Sequence, residues 1–484
     1  MCEISLSLGS LLQVVLFALV LFVETVDGNK NVLFFLVDDG GFESPVFGNK
    51  VIQTPNIKKL AMQGTVFERA YTVVSSCSPS RSAILSGLPT HQNGMYGLHQ
   101  FPGNFQSNAD ITSLPNLLGQ AGYKTGIIGK YHVGPIPNFQ FKRGMTAGEC
   151  WAGALGNPNN FGFNNSGCHA NYNLVTRNLT HMKLNARKFL RQDKDEPFFL
   201  YIGFGDTHRC QGNSNVGSFC QFYGSGKNGN PKIPDWPNPR WYDPKDVIVP
   251  PFLPDNAAVR EDIAAQYTAW DRLDTGIGVI MNELEQEGVL NETLILFFSD
   301  NGIPFPSGKT NLFEQGQADP LIISTPAQRH GRVESGRHSQ MIVSSLDLMP
   351  TILEFTGLQY PQNATAGRQP AHLTGSSLLS ILSSDDPTWR NTAFGSHQFH
   401  SLYAYYPMRS MVTTKFRLIH NLNYNLRFAI LEDVFNTPTW AEIERLGEAG
   451  KNTGWVYNYS EYMKRPEWQL FDIQKDPLGL QNLA

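Results

Sequence analysis

Runs of consecutive apolar residues alternate with amphipathic stretches along the first three quarters of the chain. Residues 31–37 (NVLFFLV) are almost all apolar and rich in β-favouring types, which is typical of a strand buried on both faces of a parallel sheet. Similar runs occur at 125–128, 197–204, 293–299 and 320–324, and helical spacing occurs at 114–120, 180–191, 257–287 and 345–355. This alternation predicts a doubly wound α/β domain.

A helix is predicted to begin at Thr54-Pro55. We expect the Thr54 hydroxyl to cap it and Pro55 to occupy the first turn, where no backbone N–H is needed. Leu60 and Ala61 then fall on the inner face of this helix.

The pattern changes after about residue 385. Short strand-like segments lie at 408–412, 416–422 and 468–472, with no clear crossover helices between them. This predicts a small α+β domain with an antiparallel sheet. We therefore divide the chain into a leader (1–28), a large α/β domain (29–384) and a smaller C-terminal domain (385–484).

The N-terminal segment has the features of a secretion signal. Residues 11–23 form an apolar run too short to span a bilayer comfortably, and small residues at 26–28 suit a signal peptidase. Glu3 replaces the usual basic residue, which leaves an uncleaved anchor as the alternative. Acceptor sequences for N-glycosylation fit the same route and lie at Asn164, Asn178, Asn291, Asn363 and Asn458.

Two pairs of polar residues directly follow predicted strands. Asp38-Asp39 comes after 31–37, and Asp300-Asn301 comes after 293–299. In an open α/β sheet, ligands bind beyond the carboxyl ends of the strands, so these four side chains are expected to meet at one rim. Each pair alone is more often a turn. Clustered carboxylates repel unless a cation neutralises them, and oxygen ligands suit Ca²⁺ or Mg²⁺, of which we expect Ca²⁺.

The formal net charge of −4 argues against a protein that coats nucleic acid or another polyanion. An anionic ligand would have to be held locally, by a pocket of cations.

A Cys-x-Pro-x-Arg pentapeptide, Cys77 to Arg81, precedes a helix-like run. A cysteine in a serine-rich turn before a helix would explain these five residues alone. The segment 75–98 continues with Leu-x-Gly and Thr-His-x-x-Gly-Met-Tyr-Gly elements, and the whole resembles the signature of sulfatases. Further similar stretches at 38–44, 125–130, 299–307 and 406–410 extend the resemblance over nearly the whole chain, most closely to the sulfatases that act on N-sulfate in heparan sulfate.

This resemblance implies an alkaline-phosphatase-like α/β fold, with a large mixed sheet flanked by helices and a smaller C-terminal α+β domain that contains an antiparallel sheet. In sulfatases the signature cysteine is oxidised to formylglycine, whose hydrate supplies the nucleophilic oxygen, so Cys77 is implied to be this residue. The implied metal ligands are Asp38, Asp39, the modified Cys77, Asp300 and Asn301.

The resemblance also assigns roles to cations and histidines. Lys130 and His132 are two apart, so they would share a face if the preceding strand continued this far; alone, they read as a surface lysine and a structural histidine. By resemblance, Arg81 and Lys130 balance the charge of the nucleophile and the sulfate, and His132 contacts the hydrate and assists its collapse. His208 is the implied proton donor to the leaving group, and Lys309 is a further sulfate-binding cation.

The cysteines fit an oxidising compartment. If Cys2 leaves with the leader and Cys77 is converted, an even number remains for local disulfides. Proximity favours Cys150 with Cys168 and Cys210 with Cys220. The second pair also matches the related enzymes, whereas the first lies in a Gly/Asn-rich stretch that looks like an insertion. Free buried thiols are the alternative.

Three positions depart from the heparan N-sulfatases. Lys309 stands where they carry arginine, which keeps the charge but removes the bidentate fork. Residues 205–208 read Gly-Asp-Thr-His instead of His-Asp-Pro-His, which removes one histidine and leaves the exact substrate open. His99, in another similar stretch, is a further candidate for the pocket.

The resemblance implies hydrolysis of the N-linked sulfate of terminal N-sulfoglucosamine in heparan sulfate. The leading alternative is an O-sulfatase that acts on a sulfated hexosamine of glycosaminoglycans. A catalytically silent, glycan-binding homologue is a second alternative. A phosphatase or phosphodiesterase is a third, although those relatives place Ser or Thr at the nucleophile and usually bind two zinc ions.

Further expectations follow from the same resemblance. The formylglycine-generating enzyme is the implied partner during maturation, and a second copy of the chain is the implied partner in a homodimer. The implied destination is the lysosome, with secretion as the alternative. In related chains a further helix follows the motif at Asp476-Pro477, so a truncated C-terminal domain is expected here.

Overall fold

An eight-stranded sheet forms the centre of the computed structural model, which describes residues 30–100, 103–146, 172–210 and 218–484. In spatial order its strands are β5 (Arg143–Thr146), β4 (Lys124–Gly129), β6 (Phe198–Gly203), β1 (Asn31–Val37), β7 (Thr293–Ser299), β8 (Leu321–Ser324), β2 (Thr65–Phe67) and β9 (Arg337–Ser339). The first five are mutually parallel, while β8 is antiparallel to both of its neighbours. The sheet is therefore mixed, as the resemblance implied.

Helices cover both faces of this sheet. They are α1 (Pro55–Met62), α2 (Cys77–Ser86), α3 (Thr90–Asn93), α4 (Leu114–Gln120), α5 (Leu179–Arg191), α6 (Ala257–Gln286), α7 (Glu314–Gln317), α8 (Pro326–Arg329) and α9 (Leu348–Thr356). Two small ladders complete this part: β3 (Ala70–Tyr71) with β10 (Val343–Ser344), and β11 (Thr365–Ala366) with β12 (Gln369–Pro370).

The continuous apolar run in β1 has a direct structural reason. Leu33, Phe35 and Val37 lie in one hydrophobic cluster, with α1, α5 and α6. The alternate residues, such as Phe34, lie in a second cluster on the other face, with α2, α4 and α9. Because successive side chains point to opposite faces, a strand covered on both must be apolar at every position.

The helix predicted at Thr54-Pro55 is present, and Leu60 and Ala61 are buried, but the expected cap is wrong. The Thr54 side chain makes no capping bond and lies 2.9 Å from the Ser44 hydroxyl instead. The acceptor comes from α6, because Asp274 accepts the backbone N–H groups of Asn56 at 3.2 Å and Ile57 at 2.8 Å.

The C-terminal part contains the expected antiparallel sheet, in the order β13 (Thr392–Phe399), β14 (Tyr405–Thr413), β15 (Phe416–Asn421) and β16 (Trp468–Asp472). The pattern missed β13, because Gly395 and several polar residues interrupt its apolar positions. It also missed three helices between β15 and β16, namely α10 (Glu432–Phe435), α11 (Pro438–Glu448) and α12 (Tyr459–Met463). The domain boundary after residue 384 stays a prediction.

Within the described ranges, no helix has both the length and the apolar character that a membrane span requires. Asn291, Asn363 and Asn458 are exposed, while Asn178 is half-buried and caps α5 by accepting the His181 N–H at 3.1 Å. Glycosylation at these residues stays a prediction. The predicted leader, Asn164, Cys150 and Cys168 lie outside the described residues.

Candidate active site

The parallel neighbours β1 and β7 bring the two polar pairs together at their carboxyl ends. Strand β1 ends at Val37 and its register partner in β7 is Ser299, so Asp38-Asp39 and Asp300-Asn301 emerge side by side. The Asp39 backbone N–H donates to Asp300 Oδ1 at 3.1 Å, and Asn301 Nδ2 donates to Asp39 Oδ1 at 2.8 Å. All four side chains are inaccessible to solvent.

Cys77 is the first residue of α2 and points at this rim. Its Sγ lies 3.5 Å from Asp38 Oδ1 and 3.9 Å from Asp39 Oδ1. Burial raises the pKa of the Cys77 thiol well above its ordinary value, although Lys130 and Lys309 oppose the shift. An unmodified thiol here would therefore stay protonated and would be a poor nucleophile.

The donor set fits a divalent cation. Ligand atoms of Asp38, Asp39, Cys77 and His208 all lie within 4.8 Å of one another. Asn301 Oδ1 is buried and accepts no hydrogen bond from the described residues, so one oxygen is left over for a ligand. Burial, with a contribution from Asp38, raises the pKa of Asp300 to about 7, and a bound cation would favour its ionised form.

Three buried cations face these carboxylates, and Asp38 contacts two of them, since Arg81 Nη2 lies 3.5 Å from Asp38 Oδ1. Lys130 Nζ lies 2.6 Å from Asp38 Oδ2, and Lys309 Nζ lies 2.9 Å from Asp39 Oδ2. Arg81 Nε donates to Asp300 Oδ2 at 2.8 Å. Opposed by burial, Lys130 and the other cations nevertheless hold the pKa of Asp38 well below its ordinary value. The structure thus brings Arg81, Lys130 and Lys309 to one pocket.

His132 reaches the same region, but not for the reason that the sequence suggested. Strand β4 ends at Gly129, and His132 has a positive φ of 57°, so strand alternation does not place it beside Lys130. Its Nε2 contacts Gln100 Oε1. Burial and the neighbouring Lys130 lower the pKa of His132 well below its ordinary value, so its ring is neutral in this arrangement.

His208 lies on the opposite side of the cluster. Its Nδ1 donates to the backbone carbonyl of Arg209 at 2.6 Å, which directs Nε2 into the pocket. Nε2 is 3.8 Å from Asp39 Oδ2 and 3.3 Å from Asp433 Oδ2. Burial and Lys309 lower the pKa of His208. Just beyond it, Cys210 forms a disulfide with Cys220, with the Cα atoms 5.2 Å apart.

Gly205 and Thr207, where the sequence departs from the related enzymes, each have specific contacts with neighbouring residues. A Cβ at Gly205 would lie 2.5 Å from Thr176 Oγ1, so this packing has no room for a histidine. The Thr207 hydroxyl donates to the Asp39 carbonyl at 3.0 Å and so fixes the turn that carries Asp39, a bond that proline could not make. His99 is buried nearby and its backbone N–H donates to Ser78 Oγ at 3.0 Å, next to Cys77.

Sequence reasoning missed two residues that the C-terminal part contributes. Asp433 of α10 contacts both Lys309, at 3.2 Å, and His208. His400, which follows β13, has its Nδ1 2.9 Å from the hydroxyl of Ser76, the residue before Cys77. Neither lies in a motif or at the end of a recognised strand, so no signal in one sequence could have found them. Despite burial, Lys309 and His208 hold the pKa of Asp433 far below its ordinary value, so it is ionised.

Known proteins resemble this chain over most of its length. The sulfatase family model matches residues 30–358. Human N-sulphoglucosamine sulphohydrolase is 46% identical over 458 residues, which cover 94% of this chain and 86% of that protein. Rat N-acetylgalactosamine-6-sulfatase is 28% identical over 406 residues, which cover 75% of this chain and 68% of that protein.

A solved structure of a protein in complex with its substrate, D-glucosamine-2-N,6-O-disulfate, is similar with a TM-score of 0.62 and 20% identity, and the match covers 94% of this chain and 93% of that one. That likeness shows the fold. The family model and the 46% identity lead to one conclusion: this chain belongs to the sulfatase family.

Proposed function

We propose that this sulfatase hydrolyses the N-linked sulfate of terminal N-sulfoglucosamine in heparan sulfate. The observation that carries the proposal is the 46% identity to human N-sulphoglucosamine sulphohydrolase over 94% of the chain. The residues at the rim of the sheet support it, because a buried Cys77 faces three carboxylates and three cations in one pocket.

Two groups would complete the site. As formylglycine, residue 77 would supply a hydrate oxygen as the nucleophile, which no encoded side chain offers. The residues that would hold a metal ion are Asp38, Asp39, residue 77, Asp300 and Asn301, and Ca²⁺ suits their oxygen atoms; bound there, it would act as a Lewis acid towards the sulfate.

The cations are assigned to the sulfate charge. Arg81, Lys130 and Lys309 are fixed by carboxylates before any substrate arrives, which is the preorganisation that favours a charged transition state. Arg81 Nη2 has no hydrogen-bond partner among the described residues, so it can donate to a sulfate oxygen.

His208 is assigned as the proton donor to the leaving group. An amine leaves poorly unless it is protonated, so N-sulfate hydrolysis needs an acid on that side of the sulfur. Because Nδ1 donates to a backbone carbonyl, only the protonated ring carries a proton on Nε2. Asp39 and Asp433 favour that protonated form, although burial and Lys309 oppose it. His132 is assigned to the nucleophile side, where it would accept a proton as free sulfate is released; its lowered pKa keeps it neutral and suits that task.

An O-sulfatase acting on a sulfated hexosamine of glycosaminoglycans is the second candidate. The observations that favour it are Gly205, Thr207 and Lys309, which depart from the N-sulfatase pattern inside the pocket. A silent glycan-binding homologue is a third candidate, for which an unmodified Cys77 in native protein would speak.

The test is sulfate release by the secreted, glycosylated protein at acidic pH, from a terminal N-sulfoglucosamine substrate and from 6-O-sulfated N-acetylglucosamine. Selective release from the first supports the proposal. Selective release from the second moves the specificity to the O-sulfate. Release from neither, with formylglycine found at residue 77 by peptide mass, contradicts both.

Replacing Cys77 with Ser is expected to abolish turnover, because a serine side chain cannot become the hydrate in this pathway. Sulfate release and the mass of the peptide that contains residue 77 should be measured together. The thermal unfolding temperature of C77S serves as the folding control. Full activity in C77S would contradict the assigned nucleophile.

The proposal also covers maturation, destination and oligomeric state of the protein in the cell. The formylglycine-generating enzyme would convert Cys77 during secretion, and the lysosome would be the destination, with secretion as the alternative. A homodimer is proposed on resemblance alone.

A further inference from the structure

Residues beyond the family-matched segment close one side of the pocket. Asp433 Oδ2 lies 3.2 Å from Lys309 Nζ and 3.3 Å from His208 Nε2. The Asp433 side chain is 8% exposed, and that of Lys309 is fully buried. This carboxylate therefore contacts both the cation assigned to the sulfate and the acid assigned to the leaving group.

Asp433 is a surplus charge in the pocket. The carboxylates of Asp38, Asp39 and Asp300 are already paired: Lys130 and Arg81 face Asp38, Arg81 also faces Asp300, and Lys309 faces Asp39. Asp433 is the fourth carboxylate of the pocket and the second one on Lys309, which already has Asp39 as its partner. The short helix α10 could have presented it to solvent, as it does the adjacent Glu432, which is exposed. Burying a carboxylate is unfavourable unless something compensates for it, so its position calls for a reason.

We propose that Asp433 competes with sulfate for Lys309 and thereby sets the preference of the pocket for a singly charged substrate over the doubly charged product. This inference rests on the proposed function. An N-sulfo group or a sulfate ester carries one negative charge, whereas inorganic sulfate carries two. Because Coulomb repulsion from the Asp433 carboxylate scales with the charge of the anion, it weakens product binding more than substrate binding. Asp433 is thus a specificity-determining residue that helps sulfate to leave.

The variant D433N removes the charge and keeps the shape. Its matched control is E432Q, which removes the same charge from the same helix but at an exposed position. Calorimetric titration of inorganic sulfate into each full-length protein, in buffer with Ca²⁺, measures the effect directly. We expect D433N to bind sulfate about tenfold more tightly or better, and E432Q to bind it as the unchanged protein does. The charge-retaining D433E should also bind sulfate weakly.

Kinetics supply a second readout. In D433N, competitive inhibition by sulfate should strengthen by the same factor, while KM for the singly charged substrate changes less. Sulfate affinity in D433N no higher than in E432Q would overturn the proposal. D433S is the second charge-removing variant should D433N not fold; if neither folds, Asp433 is a structural residue and the proposal is equally overturned. The binding measurement needs no turnover, so a failure of N-sulfate hydrolysis leaves its result readable.

Discussion

Asn301 presents a buried oxygen that the described residues do not use. Its Nδ2 donates to Asp39 Oδ1 at 2.8 Å, yet its Oδ1 accepts no hydrogen bond from the part of the chain that the structure describes. An unsatisfied buried acceptor costs about 1–3 kcal/mol, and a protein retains such an atom where a ligand satisfies it. The three carboxylates beside it favour a cation as that ligand, in line with the proposed metal site.

Asn301→Leu is therefore expected to weaken metal binding at least tenfold, because it removes the amide oxygen while nearly keeping the volume. Titration of Ca²⁺ into metal-stripped protein measures the change. Asn425→Leu, at an exposed position outside the predicted glycosylation sites, is the control. Equal Ca²⁺ affinity in the two variants would remove Asn301 from the ligand set.

For single residues of the site, the sequence predicted position best where the course of the backbone alone determines it. Asp38-Asp39 and Asp300-Asn301 could be predicted to meet because parallel strands end at one edge. Asp433 could not, because its place depends on how α10 packs against a loop more than a hundred residues earlier in the chain. His132 is an intermediate case. The motif indicated the residue, but the expectation that a continuing strand would place it on the same face as Lys130 was wrong.

A helix of this fold can be capped by a residue of another helix. Helix α1 lacks a cap from its own Thr54, and Asp274 from the middle of α6 satisfies its first N–H groups. The start of α1 was therefore predictable from Thr54-Pro55, whereas the group that stabilises it was not, since the two partners lie more than two hundred residues apart. Asp274 also locks the two helices in register.

The Asp274 carboxylate should make stability depend on pH. Burial raises its pKa from 3.8 to about 6 in the folded protein, despite the N–H groups that favour the charge. An acid with a raised folded pKa contributes stability that is fully present below its unfolded pKa of 3.8 and is lost as pH rises through about 6. A shift of this size corresponds to roughly 3 kcal/mol.

Asp274→Asn cannot titrate, so its free energy of unfolding should fall less between pH 4 and pH 7 than that of the unchanged protein, by up to about 3 kcal/mol. Urea denaturation at a series of pH values gives the comparison. Glu285→Gln, exposed on the same helix, is the control. Parallel curves for Asp274→Asn and the unchanged protein would contradict the assignment.

For the whole molecule, the two parts share one core. The cluster that contains Phe35 of the central sheet also contains Tyr406, Ile419 and Trp440. Polar contacts also connect the two parts: the Thr439 hydroxyl donates to Asp262 of α6 at 3.0 Å. The class of each part was predictable from its own apolar pattern, although β13 and three helices of the C-terminal part were missed. Their shared core was not predictable, since it depends on contacts between segments far apart in sequence.

We expect one cooperative unfolding transition for residues of both parts, because neither can lose its side of the cluster without exposing the other. Differential scanning calorimetry should show a single peak that coincides with the loss of near-ultraviolet circular dichroism. Two resolved peaks would show that the parts unfold independently.

The contribution of Asp433 and His400 to the pocket has a consequence for genetics. The segment that matches the family ends at residue 358 and includes the proposed nucleophile, all the proposed metal ligands and the three cations. A nonsense codon shortly after it would spare every residue proposed for catalysis or metal binding, yet it would delete the residues that close the pocket beside Lys309 and Ser76. Alleles truncated there should therefore be classed as null, although the signature of the family remains intact in the coding sequence.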